Sequence, residues 1–291
     1  MAQQAAKKKV YRNYTQEELD AQYNNRERFS AAQYTAENQR ESARVRGIIQ
    51  GNLDVPYGPT KDEVLDIFPA EAGGAPIAVF IHGGAWQRGD KGAVSYPAEF
   101  FVPAGVTYIA TNFSLIPPST LDEMVRQNRA ALAWVYRNAE RFGGDPDRIF
   151  VLGHSSGGHL TAMMACTDWE DSYALPADLI KGAVCLSGMY DLEPVELCYR
   201  NGYLKLDEDG WRRNSPILNI PDNAMPLIVG CGEYDADEFR RQPRAFVEAW
   251  VAAGQACEFI EHEGLNHFET AREYNNPDGT MFKSILAMIG V

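Results

Sequence analysis

The sequence predicts an α/β fold, a mostly parallel sheet flanked by helices, and three observations carry that expectation. From Glu63 onward short apolar runs alternate with amphipathic stretches, the pattern of strands joined by crossover helices. A Gly-x-Ser-x-Gly stands directly between the apolar run RIFVLG and the small-residue stretch GGHLTAMMA. The 291 residues, 45% hydrophobic and 23% charged, suffice for a sizeable core and have neither a fibrous nor a disordered composition.

In chain order, the first 14 residues are polar and expected to be loose. Thr15 followed by Glu18 has capping-box spacing, so 15–48 reads as an N-terminal helical arm. Its apolar residues Leu19, Tyr23, Phe29 and Tyr34 are loosely spaced, and such a helix must lie on another surface to be stable. The arm is expected either to pack only or to serve as a flap bordering an active site. Residues 49–291 are assigned to a single catalytic domain. Strands are expected near 63–68, 77–81, 106–111, 149–153, 182–186, 226–230 and 258–261, and helices at 121–142, 156–166, 243–253 and 281–289. The stretch 192–220, rich in Tyr, Asp, Arg and Asn, breaks the alternation. It is expected to form a small insertion over the carboxyl edge of the sheet, where α/β sheets bind ligands.

Forty acidic residues against 27 basic ones give a net charge of −13, which repels phosphate backbones and anionic membranes. The expected partner is therefore a small molecule, with no nucleic acid and no membrane, and with assembly into a homo-oligomer left open. The five cysteines are scattered without CxxC spacing, which fits a reducing cytoplasm rather than a disulfide framework or zinc site. No 18-residue apolar run occurs, so neither a signal peptide nor a membrane span is expected.

The chemistry begins at Gly153-His154-Ser155-Ser156-Gly157. A sharp strand-to-helix turn lifts a serine hydroxyl above the sheet, and small neighbours are what such a crowded turn admits. Ser155 is thus the expected nucleophile. Upstream, the apolar IAVFI ends in His82-Gly83-Gly84-Ala85-Trp86. The glycines let amides face a developing oxyanion, which makes Gly83, Gly84 and the amide of Ser156 the expected oxyanion hole and His82 a loop-fixing residue.

A serine needs a base, and five histidines are available. His154 and His159 are too local to the elbow, and His262 ends the last expected strand. His267, in the loop GLNHFE beyond it, is the expected base. The acid should follow the strand PLIVG, where Asp235 is favoured over Asp237 and Glu233. His262-Glu263 begins like H-E-x-x-H, but Asn266 stands where the second histidine is required, so no metal and no cofactor are expected.

At the level of whole blocks the chain resembles the kynurenine formamidase (arylformamidase) branch of the α/β-hydrolase superfamily. HGGAWQRGDK, STLDEMVRQN, GHSSGGHLTAMM with TDW, LSGMYDLEP, DADEFRRQ and NHFE are similar to that family's blocks in its order, and QYNNR resembles its N-terminal YN-x-R. The resemblance implies Ser155, Asp235 and His267 as nucleophile, acid and base, with Asp235 four residues before Phe239 as in the family pattern. It implies an N-formyl arylamine such as N-formylkynurenine as substrate. Ala85 departs from the aromatic often found there, which favours as the alternative a carboxylesterase for aryl or short-chain acyl esters. A noncatalytic binding protein on the same scaffold is the reading from a different class. Trp86, Ala85 and, from the arm, Tyr23 are the expected substrate contacts.

Overall fold

The computed structural model describes residues 8–222 and 225–291. Residues 1–7 of the tail expected to be loose lie outside the described residues. The rest of that tail is not loose: Lys9–Tyr11 and Tyr14–Thr15 form a short antiparallel ribbon.

The central sheet, among the described residues, has eight strands: β1 (Asn52–Pro56), β2 (Val64–Phe68), β3 (Ala75–Ile81), β4 (Thr107–Thr111), β5 (Gly144–His154), β6 (Ile180–Leu186), β7 (Leu227–Gly232) and β8 (Cys257–His262). Their spatial order is β1-β2-β4-β3-β5-β6-β7-β8. Only β1 and β2 run antiparallel to their neighbours; β4, β3 and β5 to β8 are parallel throughout. The seven expected strands are all present to within a few residues. The expectation missed β1 because it is an edge strand with no apolar alternation and almost every residue exposed.

The strands β3, β5 and β6 are buried on both faces, as parallel strands under crossover helices must be. One face packs against α5 (Leu121–Asn138) and α6 (Ser156–Ala165), the other against α4 (Ala98–Phe101) and α12 (Thr280–Ile289). Beyond β7, α11 (Asp237–Ala252) starts six residues before the expected 243. The proline at 243, read as a helix start, sits inside the helix. The stripe Phe239, Gln242, Phe246 and Trp250 is buried on both sides of it, and burial of a continuous stripe outweighs the local cost of one proline.

The arm is helical but broken into α1 (Gln16–Gln22), α2 (Asn25–Arg28) and α3 (Ala31–Ile48). The Thr15–Glu18 capping box forms in both directions, with Glu18 Oε2 accepting from Thr15 N at 2.7 Å. Leu19 and Tyr23 join the main core and Val45 packs beside Phe68. At its C-terminal end Arg46 and Lys91 both pair with Asp66, a fully buried carboxylate. A buried carboxylate needs such partners, so the arm is tied to β2 by charge as well as by apolar contact. The stretch 192–220 forms α8 (Glu193–Glu196), α9 (Asn201–Leu204), α10 (Glu208–Arg213) and a final 3-10 turn. A small helix α7 (Trp169–Tyr173) precedes β6. Among the described residues no helix is long and apolar enough to cross a membrane.

Candidate active site

The site is built where β5 meets α6. Ser155 sits between them at φ 58°, ψ −124°, a strained conformation for a residue with a side chain. The turn is possible because a Cβ at position 157 would lie 2.1 Å from the Ile81 carbonyl; only glycine lets the helix approach β3 this closely.

His267, in the loop after β8, places Nε2 2.9 Å from Ser155 Oγ and donates its Nδ1–H to Asp235 Oδ1 at 2.7 Å. Asp235 and His267 are 2% and 3% exposed. The carboxylate is not orphaned in this burial: its other oxygen accepts from the Gly232 amide at 2.9 Å and from the Ser187 hydroxyl at 2.7 Å. Burial alone would raise the Asp235 pKa, but the facing imidazole and these donors outweigh it and hold the group below the usual carboxylate range. Phe239 and Phe268 meet the imidazole edge-on, at ring distances of 4.8 and 5.4 Å. Three residues from three loops, 155, 235 and 267, are thereby brought into one hydrogen-bonded chain.

The other histidines serve as scaffold. His154 is buried and donates its Nε2–H to the main-chain carbonyl of His267 at 2.8 Å; burial and the adjacent imidazole push its pKa down to about 3, so it stays neutral and braces the loop of His267. His159 donates to the Asn214 carbonyl at 2.8 Å and accepts from Trp86 Nε1 at 3.3 Å; burial takes it down to about 4. His82 stacks flat on Phe113, 4.3 Å between centroids, and its Nδ1 donates to the Gly83 carbonyl. His262 lies beside Glu273, 3.6 Å away, outside the serine–imidazole–carboxylate chain. Asp237 begins α11, and Glu233 accepts from the Gly264 amide at 2.8 Å.

The loop Gly83–Trp86 passes over the elbow, with Gly84, Ala85 and Trp86 all at positive φ. A Cβ on residue 84 would sit 2.0 Å from the Arg88 carbonyl. The loop is held by Trp86 N donating to Ser156 Oγ at 3.2 Å and by the Tyr203 hydroxyl donating to the Ala85 carbonyl at 3.2 Å. Gly83, Gly84 and Ala85 line a cavity of about 680 Å³ that also contains Ser155 and His267.

One expected substrate contact is corrected. Trp86 is 1% exposed and belongs to the main core; its indole hydrogen-bonds to His159 and it supports the loop from beneath instead of facing the cavity. Tyr23 contributes to the cavity lining, yet its ring is fully buried, with its hydroxyl accepting from Gln242 at 2.9 Å. The arm does reach the site: Asn24 to Glu27, Thr35 and Asn38 line the cavity, and Tyr34 stacks on Phe268 at 5.6 Å. The sequence reading missed Ser187 and Arg200: Ser187 falls within the LSGMYDLEP block with no role attached to it, Arg200 lies in no motif, and each acquires its partners only through the fold.

Residues 65–246 match the family model described as BD-FAE. The chain is 32% identical over 254 residues to a kynurenine formamidase of Danio rerio, covering 85% of each chain. It is 31% identical to Esterase LipQ of Mycobacterium tuberculosis, covering 70% of this chain and 53% of that one. Among solved structures, a chain from Silicibacter sp. TM1040 superposes with a TM-score of 0.80 at 26% identity, covering 94% and 99% of the two chains. Esterase B from Lactobacillus rhamnosis shares the fold, with a TM-score of 0.75 at 16% identity over 94% and 96%.

Proposed function

The chain belongs to the kynurenine formamidase family of α/β-hydrolases, and from that premise we propose that it is an arylformamidase, releasing formate from an N-formyl arylamine such as N-formylkynurenine. Hydrolysis of an amide or ester is common to its relatives. What favours the formamide is extent: the formamidase match spans 85% of both chains, whereas the LipQ match spans only 53% of the esterase.

The reading of mechanism rests on one observation, the continuous hydrogen-bonded chain Asp235–His267–Ser155. Ser155 Oγ attacks the formyl carbon while its proton passes to His267 Nε2. Asp235, holding Nδ1–H, fixes the tautomer that leaves Nε2 free to accept and stabilises the imidazolium that results. The oxyanion is met by the amides of Gly83, Gly84 and Ser156. On collapse the C–N bond breaks and the amine takes the proton from His267. Water, deprotonated by the same imidazole, then cleaves the formyl-serine and formate leaves. No cofactor enters these steps. Unpaired thiols at all five cysteines are compatible with a reducing cytoplasm.

A carboxylesterase is the second reading, favoured by the small Ala85 on the cavity wall. Formyl, acetyl and butyryl derivatives of one aryl leaving group separate the two. The formamidase reading expects kcat/KM to fall from formyl to butyryl; a rate climbing with acyl length refutes it.

A further inference from the structure

Arg200, in the insertion, is a buried cation without an anion. It is 5% exposed, lines the cavity that holds Ser155, and makes no salt bridge among the described residues. Its guanidinium is within 5.5, 5.8 and 6.0 Å of the ring centres of Tyr23, Trp86 and Phe239. Nη2 donates to the Tyr23 carbonyl at 2.5 Å, Nη1 lies 3.5 Å from Met189 Sδ and the neutral Tyr199 phenol is a further hydrogen-bond partner, while Nε is buried with no partner. Aromatic faces offset only part of the cost of desolvating an ion. The guanidinium's five donors are therefore underused where it stands.

A second orphan faces the same space. Asn25, in the arm, is 4% exposed and lines the cavity, and both atoms of its carboxamide are buried without a hydrogen bond. The other charged groups on the cavity wall, Arg26, Glu27, Arg88 and Asp90, are exposed. Phe239 touches both Arg200 and the His267 imidazole, so the buried cation lies one aromatic ring from the proposed base.

We propose that Arg200, with Asn25, forms an anion-binding subsite that pairs with a carboxylate on the leaving-group side of the substrate and so determines specificity. This rests on the hydrolase reading of the site and deepens it. A carboxylate arriving at Arg200 supplies the missing counter-ion, and the bidentate geometry open to a guanidinium makes the pairing directional. The net charge of −13 opposes anions at long range, so a preference for a carboxylate must arise locally.

The test compares matched carboxylate and primary carboxamide substrates on two scaffolds. One pair is N-formylkynurenine and its carboxamide; the other is 3-(4-acetoxyphenyl)propanoate and its carboxamide. The wild-type chain should favour the carboxylate by ~100-fold or more in kcat/KM, as buried sites built for a polar group reject analogues lacking it. In Arg200→Met the ratio should collapse towards unity, and Arg200→Lys should restore part of it. Turnover of only the ester pair would sink the formamidase reading while still testing Arg200 through its ratio. Should Arg200→Met fail to fold, 3-phenylpropanoate and 3-phenylpropanamide are compared as competitive inhibitors of the wild-type chain, with the carboxylate expected to bind more tightly. An equal wild-type ratio, an unchanged ratio in a folded Arg200→Met, or equal inhibition overturns the proposal.

Discussion

Ser187 donates its hydroxyl to Asp235 on the carboxylate oxygen that His267 does not use, at 2.7 Å. The carboxylate is thereby fixed from both sides, since the other oxygen is taken by the imidazole at 2.7 Å. Ser187 pays for this position with a positive φ of 48°. A hydrogen bond to a charged group is worth about 1.5–3 kcal/mol, so Ser187→Ala should lower kcat roughly tenfold or more and move the acid limb of the pH–rate profile. An unchanged profile would reduce Ser187 to a packing residue.

Ser155→Ala should lose roughly four to six orders of magnitude in turnover while keeping its melting temperature, because members of such a chain act as a unit. His267→Ala should fall nearly as far. His262→Ala, at a residue whose nearest charged partner is Glu273, should stay close to wild type, and steady-state kinetics on the three pure proteins would expose an exchange of roles.

Asp235→Asn should cost far more than Asp237→Asn. Only Asp235 contacts His267, and an asparagine there offers the imidazole the wrong donor–acceptor pattern. Equal losses in kcat would leave the acid unassigned.

Acid should destabilise the fold before it reaches the carboxylates. Burial lowers His82, His154 and His159, the last two to about 3 and 4, whereas the unfolded chain takes up their protons near pH 6.5. A depressed histidine leaves stability intact above the unfolded value and withdraws it as pH falls towards the folded one, at about 1.4 kcal/mol per pH unit for each group. Asp235, also depressed, adds stability above its unfolded pKa and loses it as pH falls through the folded value. Melting temperatures should decline steeply between pH 6.5 and 4, and His154→Gln should flatten the decline. A flat curve over that range would contradict the neutral, buried histidines.

Removing residues through Ile48 should impair both folding and activity, since the cut removes Leu19, Tyr23 and Val45 from the core and the Arg46 partner from buried Asp66. It also strips Asn24 to Glu27 from the cavity wall. A soluble, fully active truncation would show the arm to be dispensable.

Local chemistry made much of this legible in the chain alone. The strand-elbow-helix at 155, the glycines at 83 and 84 and the capping box at 15–18 follow from backbone constraints that act within a few residues, and the apolar runs of β2 to β8 follow from burial with short period. Position in the chain also put His267 in the loop after the last strand, and that loop is where the fold brings an imidazole within 2.9 Å of the Ser155 hydroxyl. Partners chosen at long range were not legible. Trp86 looked like a recognition aromatic, but His159 and the core claimed its indole. Ser187, an ordinary serine at the end of β6, became the second support of Asp235 only because β6 and β7 are adjacent in the sheet. Arg200 reads as one more surface charge, and burial against Tyr23, Trp86 and Phe239 turned it into an unpaired cation. Sequence determines which groups can do chemistry; which of them lose water, and which neighbours they then meet, is decided when segments nearly 180 residues apart, such as Tyr23 and Arg200, close on each other.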